Sequence, residues 1–309
     1  MKIVFVGAGG VGGYFGARLA ASGADVALIA RGPHLAAIRA NGLRVESPLG
    51  DLVQPIRAEA DPADIGPVDI VFLAVKLWDV ETTTRQIAPL VGPDTNIVSL
   101  QNGVDAPGML RAVYGAERVL GGVAQIATTI AEPGTIRHSG KLARIIVGAF
   151  GRSEHPRVTA FVDIAKHAGV DVTASPDIEK AIWEKFVFLS TLSAITAATR
   201  LPKGLLWRTD ATRATIRKLV EEAVTVARAE GAALSDDHVD KALGFIESLP
   251  DGMKASMLHD LERGAKLELP WLSGAVVRLS ARHSLSAPTH AAIVGVLAPH
   301  VDGRPNVHP

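Results

Sequence analysis

Three glycines, Gly7, Gly9 and Gly12, stand in the spacing G-x-G-x-x-G directly behind the apolar run at residues 2–6. In that spacing the first glycine allows a tight turn off a strand. The second lets backbone approach a pyrophosphate, and the third lets a helix pack closely on the sheet. A helix starting at this point aims free amides and the positive end of its dipole at an anion. Gly7, Ala8, Gly9, Gly10, Val11 and Gly12 are therefore the expected cradle of a dinucleotide. The spacing alone is weak evidence. A short β-branched strand before it and a helical pattern after it make it specific.

The next strand, residues 25–30, ends in Ala30 and Arg31. Enzymes that take NAD usually carry a carboxylate about 20 residues after the loop, on the ribose hydroxyls. Here no carboxylate would repel a 2′-phosphate, and a guanidinium is at hand to pair with it. NADP(H) is the expected cofactor, against the plainer reading of Arg31 as a solvated loop residue. Lys76 and Asn102 follow two later apolar strands. Ligands of open parallel sheets bind outside the carboxyl ends of the strands, so both fall on the cofactor side. Asn102 is expected to reach both the nicotinamide ribose and the reacting centre, although Asn-Gly is also a common turn pair.

A different chemistry is offered by Lys185, in the apolar segment IWEKFVFLSTLSAIT at 182–196. Burying an ammonium is costly unless it is paired or loses its charge. Such a lysine can donate a proton to a developing alkoxide while a carbonyl accepts hydride. It can equally bury its stem and extend its head to water, and the helix alone speaks for that second reading. Leu189 and Ser193 share its stripe at i+4 and i+8. In the segment 255–274, Ser256 and Glu268 are candidate substrate contacts that nothing local separates from surface residues. His259 has no neighbour at metal-ligand spacing, and no metal site is expected.

These residues need elements to hold them. Apolar strands at 2–6, 25–30, 68–75 and 96–100 alternate with helical stretches at 11–21 and 79–90. That alternation implies βαβ units and a parallel sheet. Further strands are predicted at 119–130, 135–138, 143–148 and near 170–174, separated by Glu-Pro-Gly and Ser-Gly turns, with a helix at 156–168. After Asp177, a plausible N-cap, only helices follow: to about Thr199, then 210–230, 236–248, 253–263, 271–283 and 289–298. The fold class is α/β: an N-terminal Rossmann-type domain, residues 1–175, followed by an all-α domain, residues 176–309.

Composition supports this frame. Of 309 residues, 48% are hydrophobic and 21% charged, which suits a folded core and argues against disorder. Lys+Arg and Asp+Glu are 32 each, so there is no basic excess of the kind nucleic-acid binding usually requires. The absence of cysteine excludes disulfides, thiolate metal sites and cysteine nucleophiles, and fits the cytoplasm expected for this chain. The N-terminal apolar run turns to glycine too early for a signal peptide. The apolar stretch 186–199 is shorter than the ~20 residues of a membrane span.

Together the motifs resemble the ketopantoate reductase (2-dehydropantoate 2-reductase) family. The match runs through MKIVFVGAGGVGGYFG, the Arg31 strand end, AVKLWD, QNG, EPGTIRHSG, IWEKFVFLS…LPKG and SML…LELPWLSG. The resemblance implies that the glycine loop, Arg31 and Lys76 bind NADPH and that Asn102 lies by the nicotinamide. It implies that Lys185 protonates the carbonyl oxygen, while Ser256 and Glu268 hold the carboxylate and hydroxyl sides of the substrate. Four positions depart from the family pattern. Leu189 and Ser193 stand where asparagines are usual, Lys203 replaces another asparagine, and Pro270 replaces an acidic residue. Three readings follow. One is reduction of ketopantoate. Another is reduction of a more apolar 2-oxo acid, because lost hydrogen bonds to a hydroxyl change substrate choice. The third is a nucleotide-binding sensor without turnover. The partner is expected to be a small 2-oxo acid rather than a nucleic acid or membrane, and the apolar helical domain suggests a homodimer.

Overall fold

The computed structural model describes residues 1–305. The chain divides into two compact units: Met1–Gln101 with Asp105–Ala181, and Asn102–Val104 with the residues from Ile182 onward. The division therefore falls a few residues beyond the expected 175/176, inside a helix. The first turn of that helix belongs with the sheet, where a side chain on Gly148 would collide with Ile178, 2.9 Å away.

The first unit is built on one sheet. Its strands are β1 (Ile3–Val6), β2 (Val26–Ile29), β3 (Leu43–Glu46), β4 (Leu52–Gln54), β5 (Arg57–Glu59), β6 (Val68–Leu73), β7 (Val91–Ser99), β8 (Val119–Glu132), β9 (Thr135–Ala149) and β10 (Asp171–Ala174). The order β5-β2-β1-β6-β7-β8 is parallel throughout. β9 then runs antiparallel to β8, and its far edge carries β3 near its start and β10 near its end. Helices α1 (Gly10–Ala21), α2 (Gly32–Asn41), α3 (Val80–Gln86), α4 (Ala106–Tyr114) and α5 (Pro156–His167) connect the strands.

Alternation along β1 explains the helices on both faces. Ile3 and Phe5 join one buried cluster with Phe15 and Leu19 of α1 and Phe161 of α5. Val4 and Val6 join another with Ile87 and Leu110. A strand buried on both sides, with successive side chains pointing to opposite faces, needs no polar alternation. The predicted break at Ser139-Gly140 is a bulge instead. Ile126 pairs with Ala143 while Ala127 pairs with Ser139, so β9 continues past residues 140–142, which have no partner in β8. Gly140 takes φ +80, a value open to glycine at little cost, and that makes the bulge possible.

The second unit takes α6 (Ile178–Thr199) from Ile182 onward and continues through α7 (Lys203–Arg208), α8 (Asp210–Ala229), α9 (His238–Ser248), α10 (Ser256–Glu262), α11 (Ser273–Arg282) and α12 (Pro288–Leu297). Trp183, Phe186, Val187 and Ile195 of α6 sit in its core with Leu219, Val220, Ile246, Leu258 and Val276. By length and composition α6 passes as a membrane span, at 22 residues, longer than the apolar stretch suggested. However, 61% of its apolar window is buried inside the protein, which is how the core helix of a soluble protein behaves. His290, fully enclosed, places Nδ1 3.1 Å from Ser273 Oγ and Nε2 3.1 Å from the Leu219 carbonyl. Burial holds its pKa down to about 4, so it serves this core as a neutral ring.

Candidate active site

The glycine loop follows β1 and opens α1. Gly7 has φ +99, and a Cβ there would stand 2.9 Å from the Ala74 carbonyl of the neighbouring chain segment. A Cβ on Gly12 would come within 2.2 Å of the Gly7 oxygen, so only glycine lets the helix start this close to the turn. Gly9 differs: its added Cβ would meet nothing within 4 Å. Neither a side-chain cap nor an acidic residue occupies the first turn of α1. The first amides of a helix have no partner within it and attract anions. An open approach at Gly9, beside amides that no side chain caps, fits the pyrophosphate of a dinucleotide.

The carboxyl ends of the adjacent strands supply the other predicted residues of this unit. Arg31 follows β2 and caps α2, exposed, with Nη2 3.3 Å from the side-chain oxygen of Gln86. That partner is neutral. The one acidic residue at the end of the neighbouring β5, Glu59, is already taken by Arg39 and Arg57. Lys76 follows β6 and lies over the Trp78 ring, 5.5 Å from its centre. Asn102 comes shortly after β7 and is partly exposed. With Gly103 and Val104 it counts with the helical unit, an assignment its strand-end position did not suggest.

In the helical unit, Lys185 lies on α6, partly buried. Burial pushes its ammonium down to about 8, while the carboxylate of Glu268 opposes that shift. Glu268 itself is 4% exposed, in the turn before Leu269–Trp271. Lys185 and Glu268, 83 positions apart in the sequence, thus lie near enough for the carboxylate to act on the ammonium electrostatically. Leu189, one turn further along α6, is partly exposed. Ser193 is fully buried, and its hydroxyl has no hydrogen-bond partner among the described residues. Leaving a buried hydroxyl unpaired costs about 1–3 kcal/mol. Ser256 opens α10 and is exposed.

One departure from the family pattern acquires a structural role. The Lys203 ammonium, buried with its side chain 4% exposed, lies 3.0 Å from the Glu247 carbonyl and 3.3 Å from Asp251. It pins α7 to the end of α9 and the loop beyond it. Pro270 is exposed in its short turn. One residue outside the predicted set touches the glycine loop. His34 of α2 reaches the Ala8 carbonyl with Nε2 at 2.8 Å and accepts the Gly134 N–H at Nδ1, 3.0 Å away. No spacing motif announces it, because its partners lie 26 and 100 residues away along the chain.

A parallel sheet with a glycine loop at its β1–α1 turn, followed by a helical unit in which the buried Glu268 carboxylate acts electrostatically on Lys185, fits a dinucleotide-dependent oxidoreductase. Comparison with known proteins narrows the class. The family model for ketopantoate reductase PanE/ApbA matches residues 3–152, and that for its C-terminal part matches residues 177–300. The chain belongs to the ketopantoate reductase family, whose members are nicotinamide-dependent oxidoreductases acting on CH–OH groups. It is 33% identical to a 2-dehydropantoate 2-reductase of Mesorhizobium japonicum, over 96% of this chain and 97% of the relative. A solved 2-dehydropantoate 2-reductase from Geobacter metallireducens matches with a TM-score of 0.89 at 33% identity, covering 96% of this chain and 99% of that one. A D-mandelate dehydrogenase solved with NADH and anilino(oxo)acetate shares the fold, with a TM-score of 0.88 at 21% identity, over 97% and 98% of the two chains.

Proposed function

We propose that the chain reduces ketopantoate to pantoate with NADPH, and that Lys185 is the general acid. The observation that carries this reading is Lys185 itself, an ammonium in a largely apolar helix, which burial brings down to about 8 against the opposing pull of the Glu268 carboxylate. A side chain that is still protonated at neutral pH but yields its proton readily is what an alkoxide-forming reduction uses. The dinucleotide, when bound, supplies hydride to the carbonyl carbon. Lys185 Nζ gives a proton to the carbonyl oxygen as negative charge develops there, closing the new C–H and O–H bonds of the alcohol. The Glu268 carboxylate keeps the ammonium charged despite its burial, and accepts a hydrogen bond from the substrate hydroxyl. Ser256 and Asn102 hold the substrate from its carboxylate and carbonyl sides. Gly7, Ala8, Gly9, Gly10, Val11 and Gly12 take the pyrophosphate, Arg31 and Lys76 the phosphorylated adenosine ribose, and Asn102 the nicotinamide ribose. In this reading residues 1–175 serve the cofactor, and residues 176–309 serve the substrate and a homodimer contact.

A second reading keeps the chemistry and changes the substrate. It is favoured by Leu189 and Ser193, of which the first adds hydrocarbon and the second is enclosed. A pocket without the two asparagines suits a 2-oxo acid with an apolar side chain. One neutral hydrogen bond is worth only about 0.5–1.5 kcal/mol, so ketopantoate is expected to turn over with a poor KM. Leu189→Asn should raise kcat/KM for ketopantoate by roughly two- to tenfold, and by less for 3,3-dimethyl-2-oxobutanoate, which lacks the hydroxyl. A wild type already efficient on ketopantoate, with both substrates equally harmed by Leu189→Asn, would remove this account of the departures.

A further inference from the structure

We propose that His34 is a positioning residue for the dinucleotide's pyrophosphate, acting through the Ala8–Gly9 peptide. This rests on the reading of the glycine loop as the cofactor cradle and names a residue that the loop motif does not contain.

The hydrogen bonds define the ring. Gly134 N–H donates to Nδ1 at 3.0 Å, so Nδ1 carries no hydrogen. Nε2 therefore holds the proton of the neutral imidazole and donates it to the Ala8 carbonyl at 2.8 Å. The anchor on the other side is firm. Gly134 lies in the turn between β8 and β9, and its carbonyl accepts from Arg44 of β3 at 2.9 Å. An added Cβ on Gly134 would press on Ala37 of α2 at 2.9 Å, so α2 and this turn are already in close contact. The loop side is confined as well. A Cβ on Gly10 would stand 2.6 Å from the Thr128 hydroxyl, and one on Gly13 3.1 Å from Ile136. The first turns of α1 therefore lie directly on the β8–β9 hairpin.

Within this frame His34 decides which way one peptide faces. The Ala8–Gly9 bond is trans, so its C=O and N–H point in opposite directions. Drawing the Ala8 oxygen towards α2 turns the Gly9 N–H the other way. This happens at the loop glycine whose Cβ would meet nothing within 4 Å. Without the imidazole, the Ala8 carbonyl is free to rotate towards the phosphates and present an oxygen where a donor is required. The role belongs to the donor at Nε2, while the Nδ1 contact with Gly134 fixes the tautomer that makes it.

Two variants separate these contacts. His34→Asn keeps an acceptor near the Nδ1 position but is too short to reach Ala8, whereas His34→Gln can carry an N–H to the Nε2 position. Dissociation constants for NADPH are to be measured by fluorescence titration, and for ADP and 2′-AMP by displacement. ADP carries the pyrophosphate and 2′-AMP does not. His34→Asn should weaken NADPH and ADP by roughly three- to tenfold, leave 2′-AMP unchanged, and leave the apo melting temperature equal to that of His34→Gln. His34→Gln should stay within about twofold of wild type for all three ligands. Equal affinities in the two variants, or a loss shared by 2′-AMP, would overturn the role of His34. Failure of the wild type to bind NADPH would instead overturn the reading of the loop.

Discussion

Lys185→Ala should lower kcat by about 10²–10⁴ while leaving NADPH affinity near the wild-type value. Removing a general acid leaves water to protonate the alkoxide, and water is neither positioned nor acidic enough to replace it. The wild-type ammonium, brought down to about 8 by burial against the opposing pull of Glu268, is mostly protonated at pH 7. The sign of the pH dependence follows. The competent form is the protonated one, so kcat/KM should be flat below the lysine pKa and fall by about tenfold per pH unit above about 8. Lys185→Arg should not restore the rate, because a guanidinium keeps its proton throughout this range. Steady-state rates from pH 6 to 10, with NADPH binding followed separately by fluorescence, check the prediction. Near-normal kcat in Lys185→Ala would show a lysine whose stem packs and whose head merely reaches water.

The next largest effect is expected at Arg31. Its guanidinium is exposed at the end of β2, its hydrogen bond goes to a neutral amide, and neighbouring Glu59 is held by two other arginines. Among the described residues no carboxylate is paired with Arg31 that would have to give way to a 2′-phosphate. Losing a charge-assisted hydrogen bond costs about 1.5–3 kcal/mol, so Arg31→Ala should weaken NADPH roughly ten- to a hundredfold. NADH lacks the phosphate and should be affected by less than about threefold. Dissociation constants for both cofactors in both proteins decide the matter. Parallel losses would mean that Arg31 serves the loop and not the phosphate.

The extent to which these features are legible in the sequence follows from how local their causes are. The glycine loop is set by contacts within a few residues and an adjoining strand, and its spacing alone locates it. Apolar runs such as those of β1 and β6 announce buried parallel strands, and the long periodic helices after Asp177 are equally plain. Short strands are not. β3, β4 and β5 are three or four residues each, and partners elsewhere in the sheet create them. α2, which carries His34, and α4 likewise lack a long periodic pattern of their own. The sequence predicts two strands where the long β9 runs on, because a Ser-Gly pair signals a turn, whereas the strand absorbs it as a bulge. At the candidate site, Lys185 is visible as a charge in an apolar helix, but its coupling to Glu268 is a tertiary fact. Neither residue alone distinguishes a substrate contact from a surface charge. Lys203 reads as a departure from a family pattern until its ammonium is seen bound to Glu247 and Asp251.

The central claim is that this chain carries out NADPH-dependent reduction of a 2-oxo acid. It is tested most directly by following NADPH oxidation at pH 7 with ketopantoate, 3,3-dimethyl-2-oxobutanoate and phenylglyoxylate, with the alcohol products identified by mass. The expected result is stoichiometric conversion of at least one 2-oxo acid to its 2-hydroxy acid, measurable turnover of ketopantoate with a poor KM, and loss of both in Lys185→Ala. Tight NADPH binding with no oxidation across the panel would contradict it and leave a nucleotide-binding protein without this chemistry.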